Sequence, residues 1–495
     1  MWEGITTGFA TALTLSNLGW VLLGCVSGTV IGMLPGLGPI TAIALMIPVS
    51  YSLDPAGGLI MMAGVYYGAV FGGSTSSILL NAPGVASTVA TSFDGYPMAR
   101  AGQGGRALAI AAYASFAGGT LGAVALMLFA GYLAALALEF QSPEYTLLLL
   151  FALSSVVIFA QPKARLPSLL TLLVGLILGT IGTDQLAGIP RFTFGRVDLA
   201  DGLSFVLVVM ATFALAEALR MVLQDDHATP PPVPASQLYL RWSETRPLLP
   251  VIGRSSILGF IVGVLPGAGA TLASFFAYDL EKRVGNGSRE AGVAAPEAAN
   301  NAASTGSFVP LLTLGIPGSG TTAVLLGMML SYGLQPGPRL LVEQPEIFWG
   351  VIASMYLGNV ILLALNLPLI PYLARLLRLP ATLLIPLIVA FSLTGVYLTT
   401  LNPFDLYLML LLAVGALILR WFDFPLAPLL LGFILSGLLE ENVRRTLFLA
   451  EGGWTTLAQP VTIALAVALL VLWLVPVWQR LRRATHTPEF DPESD

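Results

Sequence analysis

The chain offers little for acid–base or metal chemistry and a good deal for holding an anion. Its single cysteine, Cys25, excludes an internal disulfide and any multi-thiolate metal site. Its two histidines, His227 and His486, lie in polar stretches far apart in sequence. What recurs instead is proline beside glycine, in Leu34-Pro35-Gly36-Leu37-Gly38-Pro39 and Leu265-Pro266-Gly267-Ala268-Gly269-Ala270. A proline inside a helix removes a donor and clashes with the preceding turn. Glycine next to it permits positive φ and close approach. Each motif therefore predicts a helix tip, a reversal and a new half-helix. The N-terminus of a half-helix presents unpaired N–H groups and a partial positive charge, which suits a carboxylate. Carbonyls at the opposite ends suit Na⁺. The competing role is tight helix packing through small residues, which is the better reading of one motif alone. Two copies at matching places favour a site.

A second class of motif is rich in hydroxyls and amides. GGSTSSILLNAPGVAST (72–88) carries Ser74, Thr75, Ser76, Ser77, Asn81, Ser87 and Thr88. PEAANNAASTGS (296–307) and GIPGSGTT (315–322) carry Asn300, Asn301, Ser304, Thr305, Gly318, Ser319, Thr321 and Thr322. Such neutral groups are cheaper to bury in lipid than charges. They can hold a carboxylate or Na⁺, or serve as hydrogen-bond glue between helices; for any single residue the two roles weigh equally. Two acids stand near these blocks, Asp94 in SFDGYP and Glu297 in APEAANN. Acids at membrane depth are functional candidates, as cation ligand or proton carrier. Asp94, just before Gly95, fits slightly better as a turn residue at the cytoplasmic surface, whereas Glu297 stands evenly between a structural and a coupling role.

Some likenesses fail on chemistry. GIPGSGTT lacks the Gly-Lys-Ser/Thr that grips a nucleotide. Gly267-Ala268-Gly269 lacks the βαβ setting of a dinucleotide site, and no serine–histidine arrangement suggests a hydrolytic triad.

These motifs must be positioned by apolar elements. Charged residues make up 10% of the chain, against about 25% in soluble domains, and the mean hydropathy is +0.84. A soluble core cannot hide that much apolar surface, so the solvent is a bilayer. The net charge of −5, with no basic stripe, excludes nucleic acid as a partner. An excess of glycine and proline, 52 and 34 residues, predicts interrupted helices, which membranes tolerate only where the broken backbone is buried or lines a cavity. Apolar runs predict spans at 18–34 with 39–51, 57–80, 83–97, 107–138, 144–160, 166–187 and 203–222. A second set falls at 250–265 with 270–281, 291–312, 316–333, 346–373, 381–400, 404–420, 425–439 and 460–478. The expected organisation is an N-terminal membrane repeat (1–222), a polar Pro-rich cytoplasmic linker (223–247), a C-terminal membrane repeat (248–483) and a disordered tail (484–495). With the N-terminus outside, the basic residues fall inside except Arg191, Arg196, Arg339, Arg444 and Arg445, as the positive-inside rule requires.

The two sets of spans repeat one another. Gly28, Gly32, Leu34, Pro35, Gly36 and Gly38 match Gly259, Gly263, Leu265, Pro266, Gly267 and Gly269. Downstream, Ala63-Gly64-Val65 resembles Ala291-Gly292-Val293, and Ser74-Thr75 resembles Ser304-Thr305. Asn81-Ala82-Pro83-Gly84 resembles Gly315-Ile316-Pro317-Gly318. The first elbow is flanked by Glu3 and Asp54, the second by Arg254 and Lys282-Arg283. If both are re-entrant, with 83–97 re-entrant too, an odd number of crossings separates them and the second half is inverted. The expected fold is an all-α polytopic membrane protein of two inverted repeats with broken helices, the architecture of an elevator-like secondary transporter.

The two LPG blocks, residues 72–88, and PEAANNAASTGS followed by LTLGIPGSGTTAVLLGMM resemble one family over nearly the whole chain. That family is the large membrane subunit of the tripartite tricarboxylate transporters. The resemblance implies a translocation-path subunit in a bacterial inner membrane, with a small membrane subunit and a periplasmic solute-binding protein as partners. It implies uptake of di- or tricarboxylates, or related organic acids, coupled to a Na⁺ or H⁺ gradient, and no enzymatic activity or other cofactor. With no Arg or Lys expected within the spans, recognition would rest on dipoles and hydroxyls. An integral membrane enzyme, or a passive channel or scaffold, would account for the hydropathy without the repeat.

Overall fold

The computed structural model describes residues 2–184, 187–223, 233–267, 269–285, 287–451 and 459–485. The order is α1 (Trp2–Ala12), α2 (Leu15–Met33), α3 (Gly38–Ser50), α4 (Pro55–Leu80), α5 (Val89–Met98), α6 (Gly104–Ala137), α7 (Ser142–Ile158) and α8 (Arg165–Leu178). A short antiparallel ribbon follows, β1 (Gly182–Thr183) with β2 (Pro190–Arg191). Next, α9 (Phe205–Val209) runs through a π turn at Met210–Leu215 into α10 (Ala216–Leu223). Then come α11 (Trp242–Thr245), α12 (Leu249–Val264), α13 (Gly269–Val284), α14 (Arg289–Gly306), α15 (Phe308–Leu314), α16 (Gly320–Ser331) and α17 (Pro338–Glu343). The chain continues with α18 (Pro345–Asn366), α19 (Ile370–Leu373), α20 (Ala381–Thr400), α21 (Pro403–Trp421), α22 (Ala427–Glu451) and α23 (Pro460–Thr485). Eight helical segments among the described residues are long and apolar enough to cross a membrane. Leu383, Leu387 and Phe391 on α20, and Leu410 and Leu411 on α21, are exposed as lipid-facing side chains would be.

The centre is built from α4 and α14, buried without interruption from Gly57 to Leu79 and from Ala291 to Gly306. Small residues let their neighbours approach to backbone contact. A Cβ on Gly24, Gly28 or Gly32 of α2 would collide with the backbone of Met61, Val65 or Ala69 of α4. A Cβ on Gly259 or Gly263 of α12 would collide with Ala299 or Ala303 of α14 in the same way. Glycine every fourth residue lines one face of a helix, so these glycines serve packing and only the elbows beyond them are free for other work. The local repeat carries into the backbone breaks. Asn81 (φ 53, ψ 28) and Gly315 (φ 68, ψ 25) end α4 and α15 in the left-handed region.

Some elements differ from the sequence expectation. Helix α1 was not expected; Gly4 and Gly8 lie against Trp349 of α18. Residues 83–97 and 107–138 form one nearly continuous helical run, joined by a π turn at Ala99–Gln103 with Gly102 at φ +79°. The expected span 166–187 stops at Leu178, because Gly179 is wedged against Ser436 and Phe433. The polar residues after it form the ribbon, held by Asp184 to Arg444 at 2.6 Å. Helix α22 does not stop near 439 but reaches Glu451, carried by Glu440–Arg444 and Glu441–Arg445 pairs at 2.5 and 2.6 Å. Of the expected linker, 224–232 lies outside the described residues, and 233–247 forms a short 3₁₀ turn and α11. Of the expected tail, 486–495 lies outside them, while residues 484 and 485 complete α23.

Candidate functional site

Both elbows open on one cavity. Leu34 ends α2 in an extended conformation (φ −76, ψ 127), and Gly36 and Gly38 turn the chain at φ +84° and +56°. Leu265 ends α12 alike (φ −75, ψ 119), and Gly267 and Gly269 follow at +79° and +62°. Side chains with a Cβ rarely adopt these angles. Helices α3, α13 and α16 begin at the cavity, so three N-termini converge on about 580 Å³. That volume falls in the range of small-molecule sites, roughly 300–1,000 Å³. Of the sequence-predicted residues, Gly36, Gly38, Gly267, Gly269, Ser319 and Thr321 line it. Pro35 and Pro266 end the preceding helices without lining it, and the Pro266 carbonyl accepts from Ser155 Oγ at 2.5 Å. Ser319 and Thr322 cap α16 reciprocally, Thr322 N–H donating to Ser319 Oγ and Ser319 N–H to Thr322 Oγ1 at 3.2 and 2.8 Å. Gly318 packs behind them against Ser307 and Gly263.

A methyl group on Gly267 would sit 2.6 Å from the Val156 backbone nitrogen while holding φ at +79°. Gly267→Ala is expected to lower thermal stability by about 1–3 kcal/mol. Gly253→Ala, a helical glycine with open space beside it, should be neutral or slightly stabilising. Melting curves of the two detergent-purified variants check the contrast.

The cavity also holds a charge that the sequence reading did not expect. Arg420, in the last turn of α21, lines it. Its Nη1 donates to Glu217 Oε2, and its guanidinium lies 5.9 Å from the centre of the Phe213 ring. Glu217 is fully buried, and its other oxygen accepts from Arg220 Nε at 2.9 Å. The Arg220 guanidinium rests against Gly36 at the first elbow. Two guanidiniums share this one buried carboxylate beside the elbow. The π turn at Met210–Leu215 helps to hold the group. A π turn diverts backbone carbonyls from the regular ladder, and here Thr212 O lies 3.5 Å from Arg420 Nη2 while Phe213 O accepts from Thr41 Oγ1 at 3.3 Å. Arg420 thus lines a cavity where the sequence led us to expect only dipoles and hydroxyls. The available signal was the i,i+3 pair Glu217–Arg220 at a span end, with Arg420 at another.

The remaining candidates form a second buried cluster. Glu297 on α14 is fully buried and accepts from Thr91 Oγ1 (2.6 Å), Ser74 Oγ (2.7 Å) and Ser115 Oγ (2.9 Å). Thr91 and Ser115, on α5 and α6, were not singled out in the sequence. Asn301 Nδ2 donates to Glu297 O and Asn300 Oδ1, and Asn300 Nδ2 donates to Ser87 O at 3.3 Å. Ser87 lines the elbow cavity, so the amides link the two clusters. Ser304 and Thr305 donate to carbonyls of their own helix. Thr75 borders a void of about 10 Å³ shared with Ser74, Ser115 and Asn366, about the room one water needs. Ser76 Oγ accepts from Gly84 N–H at 3.0 Å, and Asn81 is an exposed cap of α4, away from the cavity. Asp94 is no turn residue. It lies within α5 and pairs with Lys282 of α13 at 2.7 Å, outside the elbow cavity.

Interrupted helices meeting at one cavity, in an all-α chain with eight segments able to cross a membrane among the described residues, define a polytopic membrane protein. Residues 18–431 match the Tripartite tricarboxylate transporter TctA family, and the chain belongs to it. It is 41% identical over 486 residues, 96% of each chain, to an uncharacterized 52.8 kDa protein in the TAR-I ttuC′ 3′ region of Agrobacterium vitis. It is 45% identical over 226 residues to an uncharacterized protein in the TAR-II ttuC′ 3′ region of the same organism, covering 44% of this chain and 92% of that one. No solved structure matches the chain.

Proposed function

We propose that the chain is the translocation-path subunit of a binding-protein-dependent secondary transporter that takes up di- or tricarboxylates or related organic acids. The observation that carries this reading is the meeting of both elbows, three helix N-termini and Arg420 on one cavity. Backbone N–H groups and a guanidinium together recognise carboxylate, and the glycines let the backbone approach it. The two halves are opposed in the membrane, with the N-terminus periplasmic and the C-terminus cytoplasmic, in a bacterial inner membrane. A rigid-body shift of the core carries the site between the two faces, driven by Na⁺ or H⁺, with Glu297 as the coupling acid. Asp94, already paired with Lys282, is the weaker candidate for that role. A small membrane subunit and a periplasmic solute-binding protein complete the system.

The test is uptake of labelled organic acids into proteoliposomes holding the chain with both partner subunits, while Na⁺ and proton gradients are collapsed separately. Accumulation should vanish with one of the two gradients. Flux that ignores both would identify a passive channel, and chemical conversion of the acid would identify an enzyme.

A further inference from the structure

A second cavity, of about 690 Å³, lies at the other end of α7. Ser142, Tyr145 and Leu149 of α7 face it, whereas Val156 faces the elbow cavity. Tyr145 and Val156 are about 16 Å apart along a helix, so the two cavities lie at different depths. A second stretch of chain touches both at much closer range. Leu314, Gly315 and Ile316 line the second cavity, and Ser319, Gly320 and Thr321 line the elbow cavity. From Ile316 to Ser319 the backbone can span at most about 11 Å. The partition there is Pro317-Gly318 alone.

That partition is pinned on both sides. The Gly318 carbonyl accepts from Gly267 N–H at 3.0 Å, which ties it to the second elbow. On the other side Gly315, at φ +68°, lies under Pro336 and Gly337. Ile316 is almost fully buried and closes the floor. Movement of the elbow at Gly267 must either carry the partition with it or break this hydrogen bond.

The second cavity also carries the charge of an anion site. Arg339, Arg445 and Glu441 line it, together with the neutral Gln141, Gln335 and Asn442. Arg445 is paired with Glu441 at 2.6 Å. Arg339 donates to Gln335 Oε1 at 3.0 Å and has no carboxylate within ion-pair distance among the described residues. The lining thus carries two guanidiniums and one carboxylate, and among the described residues Arg339 hydrogen-bonds only to that neutral amide.

We propose that this cavity is the vestibule at the opposite face of the same path, where Arg339 takes a carboxylate of the organic acid before it passes Pro317-Gly318 to the elbows. The substrate class rests on the transport reading above; the two-sided geometry and the charge of the vestibule do not. Both can be tested without any transport assay. Cys25 is the sole cysteine, so Cys25→Ala gives a background for single reporters, Asn442→Cys in the vestibule and Thr271→Cys in the elbow cavity. Each would be probed with membrane-impermeant methanethiosulfonates in right-side-out and inverted vesicles. The two reporters should react from opposite faces. At Asn442→Cys the anionic sulfonatoethyl reagent should be favoured over the cationic trimethylammonium reagent, relative to their rates with a free thiol. Arg339→Gln should reduce that preference at least fivefold, and Arg339→Lys should keep it. Reaction of both reporters from one face, or a preference unchanged by Arg339→Gln, would overturn the proposal. Loss of organic-acid uptake with these labelling results intact would count against the transport reading alone.

Discussion

Glu217→Ala is expected to be the most destructive single substitution in the protein. Its carboxylate is fully buried and serves two guanidiniums, Arg220 at the first elbow and Arg420 at the cavity wall. Removing it takes from both guanidiniums the buried carboxylate they share. Breaking a buried ion pair by deleting one partner costs about 3–5 kcal/mol. The melting midpoint in detergent should fall sharply, and uptake should disappear because the first elbow loses its support. Adding Arg220→Met removes one of the two guanidiniums that the lost carboxylate served and should recover much of the lost stability. It should not restore uptake, since Arg420 would no longer be held in place. A Glu217→Ala protein that melts like the parent would show that the three side chains do not act as a unit.

Glu297→Gln should separate coupling from folding. Glutamine is nearly isosteric, and its carbonyl can still accept from some of Thr91, Ser74 and Ser115. The hydroxyls left over can turn to carbonyls of their own helices, as Ser74 already does toward Val70 O at 3.5 Å. Each imperfectly satisfied group costs about 1 kcal/mol, so the variant should fold and insert. On the coupling role proposed above, what it loses is the ability to take up or release a cation. Gradient-driven accumulation should drop by about a hundredfold, equivalent to roughly 2.7 kcal/mol, while exchange of labelled for unlabelled acid across the membrane persists. Glu297→Ala should in addition lower the melting midpoint, because all three donors lose their acceptor. Full gradient-driven accumulation by the glutamine variant would leave Glu297 a purely structural acid.

The elbows were legible in the sequence because proline and glycine act locally. Leu34-Pro35-Gly36 and Leu265-Pro266-Gly267 break their helices with nearly the same dihedral angles, and nothing distant is needed to explain it. The long apolar spans were legible for the same reason. The arginine–glutamate group was not, because its members lie some two hundred residues apart and sit at span ends, where charged residues ordinarily meet water. Nor could spacing reveal that Thr91 and Ser115 turn toward Glu297, since a hydroxyl among apolar residues satisfies its own helix equally well. Helix α8 was read too long because Gly179 through Thr183 is mildly apolar, and only contact with Ser436 explains the early stop. Helix α22 was read too short because its last turns are charged, and their stability comes from paired side chains one turn apart.

The acceptor of the buried cluster and its donors come from different halves of the polypeptide. Ser74, Thr91 and Ser115 all precede residue 116, while Glu297 arrives nearly two hundred residues later. Arg420 likewise completes a group whose other members are at 217 and 220. During synthesis the early helices must wait in the bilayer with those hydroxyls turned back on their own carbonyls. The late carboxylate has no such refuge and must dock as it leaves the insertion machinery. A chain cut midway would therefore yield not half of a working protein but helices whose polar groups have lost the partners they were placed to meet.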